Sequence, residues 1–180
     1  MRWFKLSLIP FVLVGALIAL RLLGVLRPFS VPTGSMTPAV SPGDRVIMEG
    51  MTFLARKPSY GDIVVYKSEG ARLPAGALYI KRVAGVPGDH VRISNGKLFV
   101  NDKHLALSNA VGEIVYSLPE QADPLLAKTG VAVSNGCYFL LGDYSINSLD
   151  SRYFGSVPRD CIIGRIFFCY WPSNRVGPVK

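Results

Sequence analysis

Hydrophobic and polar positions divide the chain into two unlike parts. Residues 6–26, LSLIPFVLVGALIALRLLGVL, carry a single charge, Arg21. As a helix rising about 1.5 Å per residue they would extend about 30 Å, the thickness of a bilayer core. Pro10 falls near the start of that segment, where a missing N–H costs little, and Arg21 lies near its end, where a long cationic side chain reaches the interface. From residue 28 onward the period changes. Short runs rich in Val, Ile, Tyr and Phe occur at residues 45–48, 63–66, 78–83, 90–93, 98–100, 137–141 and 165–170, separated by the turn signals SPGD, SYGD, GVPGD, SNG and LLGD. HVRISNGKLFV, residues 90–100, predicts a hairpin whose tip, Asn95-Gly96, tolerates the positive φ of a type I′ turn. Residues 101–136 are polar and weakly periodic and read as an excursion from the β core. The expectation is a mostly β, antiparallel domain over residues 28–180, with 101–136 as an insertion, preceded by one N-terminal transmembrane helix over residues 1–27.

Composition supports one domain with a sizeable core: 180 residues, 49% hydrophobic and 18% charged. The formal charge of +8 suits either nucleic acid or an anionic membrane surface. Lys and Arg are scattered, with no basic stripe interleaved with aromatics and no zinc spacing, so nucleic acid is not the expected partner and the lipid bilayer is. Arg2 and Lys5 before the apolar segment favour a cytoplasmic N-terminus, opposed only by Arg21 and Arg27 on the far side. No small-x-small cleavage site follows Ala19, so the segment reads as an uncleaved anchor in the cytoplasmic membrane with the domain on its outer, extracytoplasmic side. Cys137, Cys161 and Cys169 form no CxxC and leave one over; they read as small buried hydrophobes, with one disulfide open. No metal or cofactor is implied.

The candidate nucleophile is Ser35 in TGSMTP, a serine between Gly34 and Met36 on a turn flanked by Pro32 and Pro38. Serine needs a proton acceptor, His or a neutral Lys. The two histidines, His90 and His104, sit among charges and read as solvated surface groups. Ser94-Asn95-Gly96-Lys97 matches an S-x-x-K pattern, but that chemistry needs helical register and these residues are a hairpin tip. Lys81 differs from Lys67 in lying inside an apolar strand next to Arg82. Neighbours on a strand point to opposite faces, so one of the two should face inward. An amine held among apolar groups has a lowered pKa and serves as a base near neutrality. On these residues alone, a surface lysine on an edge strand stays open.

SVPTGSMTPAVSPGDRVIM, YGDIVVYK, YIKRVAGVPGDHV and GDYSINSLDSRYFGSVP resemble, in order, the four sequence boxes of the type I signal peptidases, membrane-bound Ser/Lys endopeptidases of the S26 group. The resemblance covers roughly residues 28–170. It implies a signal-peptidase-like antiparallel β domain in which Ser35 is the nucleophile and Lys81 the general base. It also implies an oxyanion hole of the Ser35 N–H and the Thr33 hydroxyl, with Ser148 hydrogen-bonded to the lysine and Asp150 paired with Arg152 to brace that wall. Gly34 would let a substrate strand approach, Met36 would face the membrane side, and Val31, Ile80 and Leu141 are candidates for substrate contact by proximity. Implied partners are signal-peptide-bearing preproteins. One departure is Gly142 to Ser148, which lacks the Arg-Asp pair of the GDNRDNS sequence common in the family. With the small size and single anchor, this leaves as the alternative a dedicated maturation peptidase for a pilin precursor of a conjugative transfer system. Two further readings are weaker. A repressor-type Ser/Lys autoprotease would be cytosolic with a DNA-binding domain, and a non-catalytic scaffold has no need of Ser35, Lys81, Thr33 and Ser148 together.

Overall fold

A strand with apolar side chains at every second position buries one face and pairs its backbone along both edges. In the computed structural model, which describes residues 9–15, 25–69 and 73–180, the strands Arg45–Glu49, His90–Ser94 and Lys97–Val100 do this, whereas Ile63–Lys67, Leu78–Gly85 and Cys137–Leu141 are buried on both faces. β1 (Leu26–Ser30), β2 (Arg45–Glu49), β3 (Ile63–Lys67), β4 (Leu78–Gly85), β5 (His90–Ser94) and β6 (Lys97–Val100) come first. β7 (Lys103–His104), β8 (Ser108–Asn109), β9 (Gly112–Glu113) and β10 (Val131–Ala132) are two-residue strands. They are followed by β11 (Cys137–Leu141), β12 (Val157–Pro158), β13 (Ile162–Trp171) and β14 (Gly177–Pro178). The main sheet runs β1-β2-β13-β3-β4-β11-β12, with β14 added to β13; a second sheet runs β10-β5-β6-β7, and β8 and β9 form a separate hairpin. The strand pairs are antiparallel in every case among the described residues.

Residues 9–15 are helical. Most of the segment expected to span a membrane lies outside the described residues, and no helix among the described residues is long and apolar enough to cross one. The helix end expected at residue 27 falls inside β1, which pairs with β2 from Leu26↔Glu49 to Ser30↔Arg45. Pro28 disfavours helical φ and ψ at the residue before it, which suits an extended start. At the predicted hairpin tip Asn95 and Gly96 both have positive φ, 49° and 77°, as a type I′ turn requires.

Three groups of buried side chains fill the molecule. Val31, Met36, Val40, Val46, Met48, Ile63, Val65, Ile166 and Cys169 form one, with Phe29 and Ile80 packed against it. A second joins Val64, Tyr66, Val83, Tyr138, Leu140 and Cys161. The third joins Val91, Ile93, Leu98 and Leu141 with Leu107, Ile114, Tyr116, Leu126 and Val133. The region 101–136 is therefore not a polar excursion. Its few large apolar residues, spaced too irregularly to show a period, cover the face of the β5–β6 hairpin. All three cysteines carry free thiols, Cys161 and Cys169 buried and Cys137 half-buried.

β13 joins the two halves of the main sheet, pairing with β2 over Arg165–Trp171 and with β3 over Ile162–Arg165. Close approach at this junction depends on Gly164. A Cβ there would lie 2.6 Å from the Glu49 carbonyl oxygen and 2.9 Å from the Met48 side chain, contacts that only a backbone shift relieves. Gly164→Ala is expected to cost about 1–3 kcal/mol and to lower Tm by roughly 2–10 °C, measured by thermal unfolding of the full chain in detergent.

Candidate active site

The nucleophile candidate sits on a closed loop. The Val31 N–H donates to the Asp44 carbonyl and the Gly43 N–H to the Val31 carbonyl, both at 2.9 Å, so residues 31 and 44 form a neck. Within the loop the Thr37 N–H donates to the Gly34 carbonyl (3.0 Å) and the Val40 N–H to the Met36 carbonyl (2.9 Å), a tight turn with Ser35 on it. Met36 (2% exposed) and Val40 (0%) point into the core. The expectation that Met36 faces a membrane is thus corrected: its side chain anchors the turn by filling the space between β2, β3 and the loop. At Gly34 an added Cβ meets nothing closer than Thr37 Oγ1 at 3.5 Å, so the protein's own packing leaves room there.

The base candidate comes from the sheet. β4 is an interior strand between β3 and β11, so the surface-lysine reading falls. Lys81 sits opposite Val64 and Arg82 opposite Ile63. They point to opposite faces, as strand geometry demands. Only one was expected to turn inward, yet both are buried, Lys81 at 2% and Arg82 at 3% exposure. Arg82 is admitted by a partner: its Nε and Nη2 donate to the two carboxylate oxygens of Asp143 at 2.7 and 2.6 Å, and its Nη1 donates to the Gly61 carbonyl at 3.0 Å. Lys81 has no ion-pair partner among the described residues. Its Nζ lies 2.7 Å from Ser35 Oγ. Burial lowers its pKa from 10.5 to about 8, against the opposing pull of Asp150 and Asp143 and with help from Arg152.

A wall of paired charges closes the site. Asp150 and Arg152 are both fully buried, with Arg152 Nε 2.8 Å from Asp150 Oδ1 and Nη2 2.9 Å from Oδ2. Arg152 also donates to the Ser145 hydroxyl and carbonyl (2.6 and 2.7 Å) and to the Ser117 carbonyl. The Ser117 N–H in turn donates to the Ser145 hydroxyl at 2.7 Å, so the region 101–136 holds this wall from behind. Asp150 accepts the Gly142 N–H at 2.9 Å and the Ser148 hydroxyl at 2.7 Å. This corrects one expectation. Among the described residues Ser148 has no direct hydrogen bond to Lys81; its hydroxyl proton goes to the fully buried carboxylate of Asp150.

Ser35, Lys81, Ser148, Asp150 and Arg152 are gathered around Gly142. A Cβ on Gly142 would lie 2.1 Å from Ser148 Oγ and 2.6 Å from the Ser35 carbonyl oxygen, and the Tyr144 N–H donates to that same carbonyl at 3.1 Å. Thr33 is exposed two residues before the nucleophile. Val31 and Ile80 belong to one apolar group, Val31 buried and Ile80 half-buried, whereas Leu141 is buried in another. Sequence reading missed the Arg82–Asp143 pair and the need for glycine at 142. An Arg beside the candidate Lys and a Gly-Asp pair ending an apolar strand were the available signals.

The cost of the buried amine can be measured. Because the folded pKa of Lys81 is lowered, the unfolded chain binds more protons between about pH 8 and 10.5, and stability rises with pH across that window. Below it the charged amine costs on the order of 3 kcal/mol. Lys81→Met should therefore unfold at higher temperature than the parent at pH 7, with the gap closing as pH rises from 8 to 10.5. A gap that stays constant with pH would refute a depressed pKa.

A family model described as signal peptidase, peptidase S26, matches residues 1–171. The chain is 38% identical over 149 residues to a probable signal peptidase I-2 of Synechocystis sp., covering 82% of this chain and 64% of that protein. It is 36% identical over 157 residues to a probable thylakoidal processing peptidase 2, chloroplastic, of Arabidopsis thaliana, covering 85% and 40%. With a probable signal peptidase I-1 of Synechocystis sp. it shares 32% identity over 176 residues, covering 94% and 84%. The chain spans less than two thirds of the length of the first two. With the family match running through all four boxes and both segments that meet at Ser35 and Lys81, the chain belongs to the signal peptidase family, peptidase S26.

Proposed function

We propose that the protein is a serine endopeptidase that removes signal peptides from exported preproteins, with Ser35 as nucleophile and Lys81 as general base. The observation carrying this reading is the 2.7 Å contact between Lys81 Nζ and Ser35 Oγ at an amine whose pKa lies near 8. The unprotonated amine accepts the Ser35 proton as Oγ attacks the scissile carbonyl carbon; the resulting lysinium then donates that proton to the leaving amine. Water, deprotonated by the same Lys81, hydrolyses the acyl-enzyme and frees Ser35. The oxyanion is held by the Ser35 N–H, which has no acceptor among the described residues, and by the Thr33 hydroxyl. Val31 and Ile80, beside the nucleophile turn, line the place for a small substrate side chain, with Leu141 on the neighbouring strand β11.

The apolar segment 6–26 anchors the protein in the cytoplasmic membrane, with the β domain on the outer side. From the end of that segment to Ser35 there are nine residues, which keeps the nucleophile close to the bilayer, where the cleavage sites of membrane-inserted signal peptides emerge. The three relatives described above carry the names of signal and thylakoidal processing peptidases, which favours this reading over the dedicated propilin peptidase.

The test is cleavage, in detergent or liposomes, of a secretory preprotein with an Ala-x-Ala site and of a pilin-like precursor. The parent should cut the preprotein, and Ser35→Ala and Lys81→Ala should not. Cleavage of the pilin precursor alone would move the substrate assignment, and an active Ser35→Ala would overturn the mechanism. Because the base must be neutral, kcat/KM should fall about tenfold per pH unit below about pH 8. Thr33→Val should lower kcat on the order of 10²- to 10³-fold, as removal of one oxyanion donor does, and Thr33→Ser should not.

A further inference from the structure

The nucleophile loop is held by more than its neck. Its inner side is fixed by Met36 and Val40, but its outer turn, Pro38 and Ala39, is only half-buried. There a side chain 137 residues beyond Pro38 in sequence intervenes. Arg175, on the 3₁₀ turn Ser173–Arg175 that follows β13, places Nε 2.8 and 3.0 Å from the two carboxylate oxygens of Asp44. Its Nη2 donates to the Pro38 carbonyl at 2.8 Å and the Ala39 carbonyl at 3.4 Å. Asp44 also receives the Ser41 N–H at 2.8 Å. One guanidinium therefore bridges the foot of the loop and its far turn, two points that backbone hydrogen bonds leave unconnected.

The base of this bridge is rigid. β13 pairs with β2 as far as Trp171↔Arg45, next to Asp44, and the Arg175 N–H closes its turn on the Pro172 carbonyl at 2.9 Å. The acceptors diverge around a planar fork, which suits arginine and not the point charge of lysine. The Arg175 side chain is 32% exposed while that of Asp44 is 2% exposed. Truncating Arg175 would leave the buried Asp44 carboxylate without its cation, which lowers global stability. Placement of reacting groups is a different matter, since an error of about 1 Å can cost on the order of 10²-fold in rate.

We propose that Arg175 is a positioning residue for catalysis: it fixes residues 38–44 so that Ser35 Oγ is kept in contact with Lys81 Nζ. The proposal rests on the reading of Ser35 and Lys81 as the reacting pair. The full chain in detergent is assayed on a preprotein substrate as the parent, Arg175→Gly, Arg175→Lys and Ser35→Ala. Arg175→Gly should lower kcat on the order of 10- to 100-fold with little change in KM, and millimolar guanidinium should restore kcat saturably. Arg175→Lys should recover only a minor part, and Asp44→Asn combined with Arg175→Gly should be no worse than the glycine variant alone. Arg175→Gln, which keeps much of the packing, serves where the glycine variant does not fold, and should lose kcat to the same degree. Unchanged kcat with a lower Tm, a loss confined to KM, or no rescue by guanidinium would overturn the proposal. An active Ser35→Ala would instead overturn the reading of the reacting pair, whereas an inactive Ser35→Ala beside a fully active Arg175→Gly would overturn the clamp alone.

Discussion

Everything around the site follows from keeping one amine out of water beside one hydroxyl. Lys81 is nearly inaccessible, and a single unpaired carboxylate facing it would raise its pKa again and hold its proton. The fold avoids this by supplying charge only in neutralised pairs. Asp143 is gripped by Arg82 on the opposite face of β4, and Asp150 by Arg152, with 2.6–2.9 Å contacts in both. What reaches Lys81 is a balance of weak opposing fields over a dominant desolvation effect. The arrangement is costly on its own terms, because buried ion pairs seldom repay their desolvation. Such costs are tolerable at a site and unusual elsewhere.

That requirement explains parts of the molecule that look remote from it. Arg152 has more donors than Asp150 can satisfy, and its remaining ones go to Ser145, Ser148 and Ser117. The region 101–136 thus does two things: its apolar residues cover the β5–β6 hairpin, and its Ser117 completes the coordination of a buried guanidinium. Gly142 lets the strand end pass between Ser148 and the Ser35 carbonyl. Ser148, held by Asp150, shapes the wall.

Much of the fold was legible in local pattern. Short runs rich in Val, Ile, Tyr and Phe between turn signals marked β2 to β6, β11 and β13, and Asn95-Gly96 marked its hairpin, because these depend on neighbours in sequence. Strand alternation alone also isolated the Lys81 and Arg82 dilemma, and the ordered boxes singled out Lys81 as the candidate base. What stayed hidden depends on distant segments meeting. Arg82 is buried only because Asp143 arrives from 61 residues away, β1 exists only because β2 pairs with it, and Met36 read as a membrane-facing residue until β2 and β3 enclosed it. The two-residue strands β7 to β10 are too short to carry a period at all. The hydrogen bond of Ser148 to Asp150 is likewise set by where two buried side chains meet, which no spacing records.

The position of β13 in the sheet has a consequence for how the protein comes into being. Ser35 belongs to the β1–β2 half and Lys81 to the β3–β4 half, and these halves become sheet neighbours only when β13 slots between β2 and β3. Contacts of such long sequence separation form late, after the loop-closure entropy has been overcome by other interactions. A chain emerging from N- to C-terminus therefore carries its serine and its lysine long before it can bring them together. The order of the strands delays the meeting of Ser35 and Lys81 until nearly all of the domain has been made.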